Sequence, residues 1–270
     1  MNLSQVKLVV TDMDGTLLNS KGEISDVFLS VFKQLQLHDV HFAAASGRQY
    51  HSICNKLNTI KNEITIIAEN GAIAKQAENE LVLTNLPYQK IKQLIPILRE
   101  IKNAHIVLCG KNAAYIETND ESFIKMFNEY YTSYNIVEDL TEIESDEYLK
   151  IAVYHSESSE THIYPIVKHL EDEMQVKVSG QNWLDLSEPN ANKGYALKIL
   201  QDKLNITKEE TMVFGDYNND LEMIALGHFS YAMENAHPNV KKAALFETKS
   251  NDDKGVEFIL EQLITAKKSV

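Results

Sequence analysis

Cysteine is scarce: Cys54 and Cys109 are the only two in 270 residues, and no metal-ligand spacing relates them. That count argues against a disulfide-stapled secreted domain and suits a reducing compartment with two inert buried thiols. Proline is scarce too, with five residues, and neither a Pro-rich linker, a repeat nor a low-complexity tract interrupts the chain. No apolar run reaches spanning length. The one nearest the start, Leu8-Val9-Val10, is broken by Asp12 and Asp14 and has neither the core of a signal peptide nor the length of a membrane span, so a cytoplasmic location is the default expectation. Positive charge is also short. Lys and Arg total 26 against 39 Asp and Glu, a formal charge of −13, and such a field repels polyanions. Nucleic acid and anionic membranes are therefore not expected as partners, whereas a small anion remains compatible because a local cluster of cation and N–H groups acts at short range.

What is present is ordinary globular composition, 44% apolar and 24% charged, with a length that suits two domains. Val6-Lys7-Leu8-Val9-Val10-Thr11 is a β-branched run that ends at an acidic turn, and residues 41–45 and 63–68 end in similar ways. All three read as buried strands. Between them, Val27, Phe28, Val31, Phe32 and Leu35 fall at helical spacing within residues 25–37, and residues 50–57 offer a shorter helix. Strand and helix alternate, which implies parallel βαβ units. The last third repeats the pattern, with helices over 194–204, 220–226 and 255–264 and strands over 211–214 and 230–233.

The middle differs. Helical stretches at 88–102, 122–131 and 161–171 are interleaved with short strands at 106–109, 115–117, 151–155, 176–179 and 184–186, several of them only a turn apart, as in an antiparallel or mixed sheet. Pro96 is expected to kink or restart the first of these helices. The fold expected is α/β, a doubly wound Rossmann-like parallel sheet made by residues 1–83 and 185–270, with an α+β domain inserted at 84–184.

Asp12-Met13-Asp14-Gly15-Thr16 follows the first strand, where ligands of open α/β sheets bind. A turn helped by Gly15 can bring both carboxylates to one point, one as nucleophile and one as acid and base. Taken alone, the string is equally at home in a surface turn or a Ca²⁺-like loop. Gly215-Asp216-Tyr217-Asn218-Asn219-Asp220 likewise follows an apolar strand, and carboxylates four residues apart there suit a hard cation. An N-cap would explain one of those acids but not a second acidic loop on the same sheet. Ser46-Gly47-Arg48 ends the second strand, where a hydroxyl and backbone N–H groups form a phosphate cradle. Lys193, ahead of Gly194 and a helix, can bring positive charge to phosphate.

Together these four elements resemble the haloacid dehalogenase superfamily, whose motifs occur in this order. Glu69-Asn70-Gly71-Ala72 and Asp252-Asp253-Lys254-Gly255-Val256 resemble in particular its Cof-type branch, with a large α+β cap between the second and third motifs. The resemblance implies a phosphatase of small phosphorylated metabolites that uses Mg²⁺. Asp12 would be nucleophile and metal ligand, and Asp14 acid and base with its carbonyl on the metal. Asp216 would be the main further ligand, with Asp220 in support. Ser46, Gly47, Lys193, Asn219 and the Met13 backbone N–H would hold phosphate. Electrostatics asks for something similar, since four carboxylates beside a dianion repel without a cation. Two other readings stay open at this point, a phospho-Asp signalling protein and a phosphosugar mutase of the same superfamily. Sugar phosphates, nucleotides and phosphorylated cofactors are all compatible substrates, and Tyr115, Tyr154 and Trp183 are expected in the core.

Overall fold

The computed structural model describes residues 2–143 and 145–269. Strands β1 (Leu8–Asp12), β2 (His41–Ala45), β3 (Thr65–Ala68), β4 (Ile73–Gln76) and β5 (Asn79–Leu83) open the chain. The middle contains β6 (Ala104–Gly110), β7 (Ala114–Ile116), β8 (Tyr134–Ile136), β9 (Tyr148–His155), β10 (Gln175–Val178) and β11 (Trp183–Ser187), and β12 (Thr211–Gly215), β13 (Phe229–Ala232) and β14 (Phe246–Glu247) close it. They form two sheets. The first has the order β14-β13-β12-β1-β2-β3-β4-β5 and is parallel except across β3, β4 and β5. The second has the order β10-β11-β9-β6-β7-β8 and is antiparallel except between β7 and β8.

In the first sheet, β1 leads outward to β2 and β3 on one side, while β12 leads to β13 and β14 on the other. The direction of winding therefore reverses between β1 and β12, and the carboxyl ends of strands at such a reversal form a natural ligand crevice. Asp12 is the last residue of β1, and Asp216 directly follows β12. All five residues of β1 are buried, as the centre of a sheet covered on both faces requires. One cover is the helix Asp26–Leu37, which starts where the Ser25 hydroxyl accepts the Phe28 N–H at 3.0 Å. Its buried Phe28, Val31, Phe32 and Leu35 recur at i, i+3, i+4 and i+7, the spacing that puts one stripe on the sheet.

The second sheet follows the period of two. Leu108, Ile151, Val153, Leu184 and Leu186 share one core with Ile91, Leu94, Ile95 and Leu98 of the helix Tyr88–Arg99. Alternate residues face the other way, where Val107, Cys109 and Ala152 pack with Phe123 and Phe127 of the helix Glu121–Phe127. Lys150, Tyr154, Trp183 and Asp185 alternate onto that same face, which lies over the carboxyl edge of the first sheet.

The doubly wound core and second sheet match expectation, while several elements differ. Pro96 does not interrupt its helix, which runs unbroken from Tyr88 to Arg99. An internal proline costs about 3 kcal/mol, and four buried aliphatic side chains at about 1.5–3 kcal/mol each outweigh it. Conversely, the helix expected at 161–171 is broken into Ser159–His162, Tyr164–Val167 and a 3₁₀ turn Lys168–Leu170, because Pro165 has no N–H to continue the ladder. Among the described residues no helix is long and apolar enough to cross a membrane.

Candidate active site

The turn after β1 needs Gly15. Its φ is +76°, and a Cβ there would lie 2.3 Å from Oδ2 of Asp216, so the absence of a side chain at Gly15 lets the second acidic loop come this close. Thr16 Oγ1 donates to Asp216 Oδ1 at 3.2 Å from the same turn. Lys193 opens the helix Lys193–Leu204, whose N-cap Asn192 accepts the Tyr195 N–H at 2.8 Å. Its ammonium is fully buried and donates to Asp12 Oδ1 and Asp220 Oδ1, both at 2.6 Å. The other oxygen of Asp220 accepts the N–H groups of Asp216 at 2.9 Å and Tyr217 at 3.1 Å. Asp220 therefore fixes the loop and the lysine, while Asp12 and Asp216 retain capacity toward the cavity. Oxygens of Asp12, Asp216 and Asp220 all lie within 4.8 Å of one another.

One lysine does not balance this cluster. Burial pushes the Asp12 carboxyl up to about 7, with Lys193 opposing and Asp220 and Asp14 adding to the rise. Burial likewise pushes Asp216 up to about 9, reinforced by Asp12 and Asp220. Lys193 stays charged, since Asp12 and Asp220 more than offset its own burial. Carboxyl groups that hold protons so far above the ordinary range are short of positive charge. A hard divalent cation bound by oxygen fits that donor set.

Asp14 is arranged differently from Asp12. Its carboxylate, 43% exposed, is paired two-pronged with Arg48, whose Nε and Nη2 donate at 2.6 Å each. Arg48 also donates to the Glu129 carbonyl and lies 4.6 Å from the Tyr130 ring centre. The neighbouring Gln49 accepts the N–H groups of Thr132 and Ser133, both at 3.1 Å. Residues just past β2 thus hold the segment beneath the second sheet.

Ser46 and Gly47 are shaped by the turn Glu69-Asn70-Gly71, whose φ values of +50°, +55° and +95° are all left-handed. Gly71 is forced by contact as well, because a Cβ would stand 2.3 Å from the Asn192 carbonyl. Asn70 N–H donates to the Ser46 carbonyl at 3.0 Å, and its Oδ1 accepts from Asn219 Nδ2 at 2.9 Å. Its own amide nitrogen donates to the Asp185 carboxylate of the second sheet. Lys150, 2% exposed, reaches down from β9 to the Gly47 carbonyl at 2.7 Å and pairs with Glu69 and Asp185 at 3.1 Å each. Burial lowers its affinity for the proton, but Asp185 and Glu69 reverse the effect and keep it charged.

The expected residues are thus brought together. Asp12, Asp14, Ser46, Gly47, Asp216 and Asn219 line one cavity of about 380 Å³, with Lys193 and Asp220 buried behind Asp12 and Asp216 and the Met13 side chain turned into the hydrophobic core. Sequence reasoning gave no role to Arg48, Glu69, Asn70, Lys150 or Asp185. Arg48 stands in the Ser46-Gly47-Arg48 string and Glu69-Asn70-Gly71 in the Cof-type resemblance, while no sequence signal marks Lys150 or Asp185. Of the three aromatic residues expected in the core, Tyr115 is there, 7% exposed with its hydroxyl on Asp146 at 3.1 Å. Tyr154 and Trp183 are half-buried and line the cavity instead.

A family model described as haloacid dehalogenase-like hydrolase matches residues 9–260. The chain belongs to that family. As a haloacid dehalogenase-like hydrolase it is an enzyme of the phosphatase kind. It is 29% identical over 262 residues to the 5-amino-6-(5-phospho-D-ribitylamino)uracil phosphatase YbjI of Escherichia coli, with 96% of each chain covered. The YitU protein of Bacillus subtilis, a phosphatase named for the same compound, is 27% identical, with 94% and 96% covered. Among solved structures, SMU.1108c of Streptococcus mutans UA159 superposes with a TM-score of 0.89 at 30% identity, covering 96% of this chain and 99% of that one.

Proposed function

We propose that this enzyme is a Mg²⁺-dependent phosphatase of small soluble phosphomonoesters, working through a phospho-aspartate on Asp12. The observation that carries the reading is the buried Lys193 shared between Asp12 and Asp220, with Asp216 in reach and too little positive charge for the set. Mg²⁺ held by Asp12, Asp216 and the Asp14 carbonyl, with Asp220 in support, would neutralise charge on the transferring phosphoryl group. Ser46, Gly47, Asn219, Lys193 and the Met13 N–H would hold its oxygens. In the first step an Asp12 oxygen attacks phosphorus in line as the ester P–O bond breaks, and Asp14 gives the leaving oxygen its proton. In the second, Asp14 takes a proton from water, whose oxygen displaces the Asp12 carboxylate and releases inorganic phosphate.

The substrate named for YbjI and YitU, a small phosphorylated metabolite, supports this class of leaving group. We place the enzyme in the cytoplasm, where such metabolites are made. Residues 1–83 and 188–270 form the catalytic unit in this reading, because β11, Trp183–Ser187, pairs throughout with the second sheet and moves the boundary expected at 184 to its end. Residues 84–187 act as a cap that opens near 84–87 and 188–189 to admit substrate and closes to exclude water.

The test is hydrolysis of p-nitrophenyl phosphate and acetyl phosphate before and after exhaustive chelation with verified metal removal. Activity should vanish and return with added Mg²⁺. Full activity without metal would refute the metal role of Asp12 and Asp216. A version with the inserted segment replaced by a short linker should keep some acetyl phosphate turnover while losing preferences among larger esters. Unchanged preferences would show that the segment does not select substrate.

A further inference from the structure

Ser46 and Asn219 can hold a phosphate dianion only by presenting hydrogens, because its oxygens accept and do not donate. A hydroxyl and a carboxamide can each turn either face to a ligand. In both cases the face is set by a chain of hydrogen bonds that ends on the second sheet.

The first chain starts at Asp185 of β11, which is buried. Its Oδ2 accepts from Lys150 Nζ at 3.1 Å and from Asn70 Nδ2. A carboxylate held against an ammonium accepts and does not donate, so the Asn70 amide must turn its nitrogen to Asp185 and its oxygen the other way. That oxygen accepts from Asn219 Nδ2 at 2.9 Å. An amide nitrogen carries two hydrogens; with one on Asn70, the other is the donor that Asn219 can offer to a phosphate oxygen. The second chain starts at Lys150 of β9, which donates to the Gly47 carbonyl at 2.7 Å. In a trans peptide the carbonyl and the following N–H point in opposite directions. Lys150 therefore fixes the Arg48 N–H as well, and that N–H donates to Ser46 Oγ at 3.1 Å. Ser46 thus accepts from its own loop and keeps its hydroxyl hydrogen for the cavity it lines.

We propose that Asp185 and Lys150 are positioning residues for the phosphate cradle, Asp185 acting through Asn70 on Asn219 and Lys150 through the Gly47–Arg48 peptide on Ser46. The proposal rests on the phosphatase reading for the identity of the anion, and the test separates the two. Its sign is diagnostic. Asp185 places a negative charge in the lining of the cavity, so Coulomb's law alone has its removal tighten the binding of an anion. The relay requires the opposite.

Inorganic phosphate should be titrated calorimetrically into the Mg²⁺-loaded protein, wild type and Asp185→Asn. Asn is nearly isosteric with Asp but can turn either a donor or an acceptor to Asn70, which lets the amides of Asn70 and Asn219 reverse and set an oxygen toward phosphate. The dissociation constant should rise about 10- to 150-fold, the range that a hydrogen bond to a charged group supplies. The same factor should appear in kcat/KM for acetyl phosphate and for p-nitrophenyl phosphate, which share only the phosphoryl group. In an Asn219→Ala background Asp185→Asn should no longer weaken binding, because the relay has lost its last member. Lys150→Met combined with Glu69→Gln removes the buried lysine together with an acid it neutralises. That pair should weaken phosphate binding likewise, Ser46→Ala should cancel the loss, and the pair serves as the second variant should Asp185→Asn fold poorly. Unchanged or tighter phosphate binding in Asp185→Asn would overturn the proposal. So would an equal loss in the Asn219→Ala background, the mark of general loosening, or a loss confined to one ester, the mark of direct contact with the leaving group. Phosphate binding that depends on Asp185 through Asn219, in a protein that hydrolyses no ester, would uphold the relay and remove the phosphatase reading.

Discussion

The replacement of Asp14 by Asn separates the two acids of the first loop more sharply than any other substitution. Asp14 is 43% exposed and its carboxylate is tied to Arg48. Asn retains an acceptor for that guanidinium, so the folding cost should stay near about 1 kcal/mol, the range of a partly solvated ion pair. The chemistry should change far more. An alkyl ester needs a proton on its departing oxygen, and loss of general-acid help should slow its phosphoryl transfer by about 10²–10⁴-fold. A nitrophenolate departs without that help, so p-nitrophenyl phosphate should still phosphorylate Asp12. The phosphoenzyme should then stall, because no base activates water. Rapid mixing should show a nitrophenol burst approaching one equivalent, with phosphate retained on the protein and labile to hydroxylamine. Asp12→Asn is nearly isosteric and keeps an acceptor for Lys193, yet should give neither burst nor phosphoprotein. If Asp12→Asn gave the burst and Asp14→Asn gave none in folded, Mg²⁺-binding protein, the two roles would have to be exchanged. If neither substitution reduced turnover, the site would be elsewhere.

Three further outcomes are expected. Between the ordinary carboxyl value of 3.8 and the raised values of about 7 and about 9 for Asp12 and Asp216, the folded chain binds more protons than the unfolded one, so metal-free stability contributed by these groups falls as pH rises. Melting in chelator from pH 5 to 9 should show the decline, Mg²⁺ should reverse it more at pH 9 than at pH 5, and Asp216→Asn should flatten it; a slope that Asp216→Asn leaves unaltered would refute the assignment. Lys193→Met leaves Asp12 and Asp220 buried without their cation and should cost about 3–5 kcal/mol in denaturant unfolding, partly recovered at lower pH where carboxyls protonate; a cost below 1 kcal/mol would contradict the burial. Gly15→Ala forces an L side chain to φ +76° against Asp216, so it should raise the Mg²⁺ concentration for half-maximal activity and cut turnover by about 5- to 150-fold, from roughly 1–3 kcal/mol of strain; wild-type metal dependence would refute the close approach.

The central strands were legible because burial on both faces demands near-continuous apolar runs, as in Leu8-Val9-Val10, and because each acidic motif stands at a strand end. Polar two-sided elements were not. The hairpin of β4 and β5 carries Lys75, Gln76, Asn79 and Glu80 and turns through Ala77 at φ +49°, a position without the glycine or asparagine that usually marks such a turn. The helix Pro238–Ala243 and the short strands β8 and β14 were likewise too brief to show a period. In the site, residues adjacent to the motifs could be read, since spacing along the chain places them. Lys150 and Asp185 could not be, because each is one alternate position of a strand, and only the docking of the second sheet decides that this face meets Gly47 and Asn70 rather than solvent.

That docking also limits how the enzyme can change over time. Glu69 and Asn70 sit in one part of the chain, and the groups that complement them, Lys150 and Asp185, sit in the other. An inserted segment exchanged for a foreign one would strand a buried acid in the host unless the newcomer brought its own lysine to the same place. Substitutions at residues that line the cavity from the second sheet, such as Tyr154 and Trp183, can alter what is accepted one at a time, whereas the ionic seam must be inherited as a matched set, so new preferences should arise by editing that lining rather than by trading the whole segment.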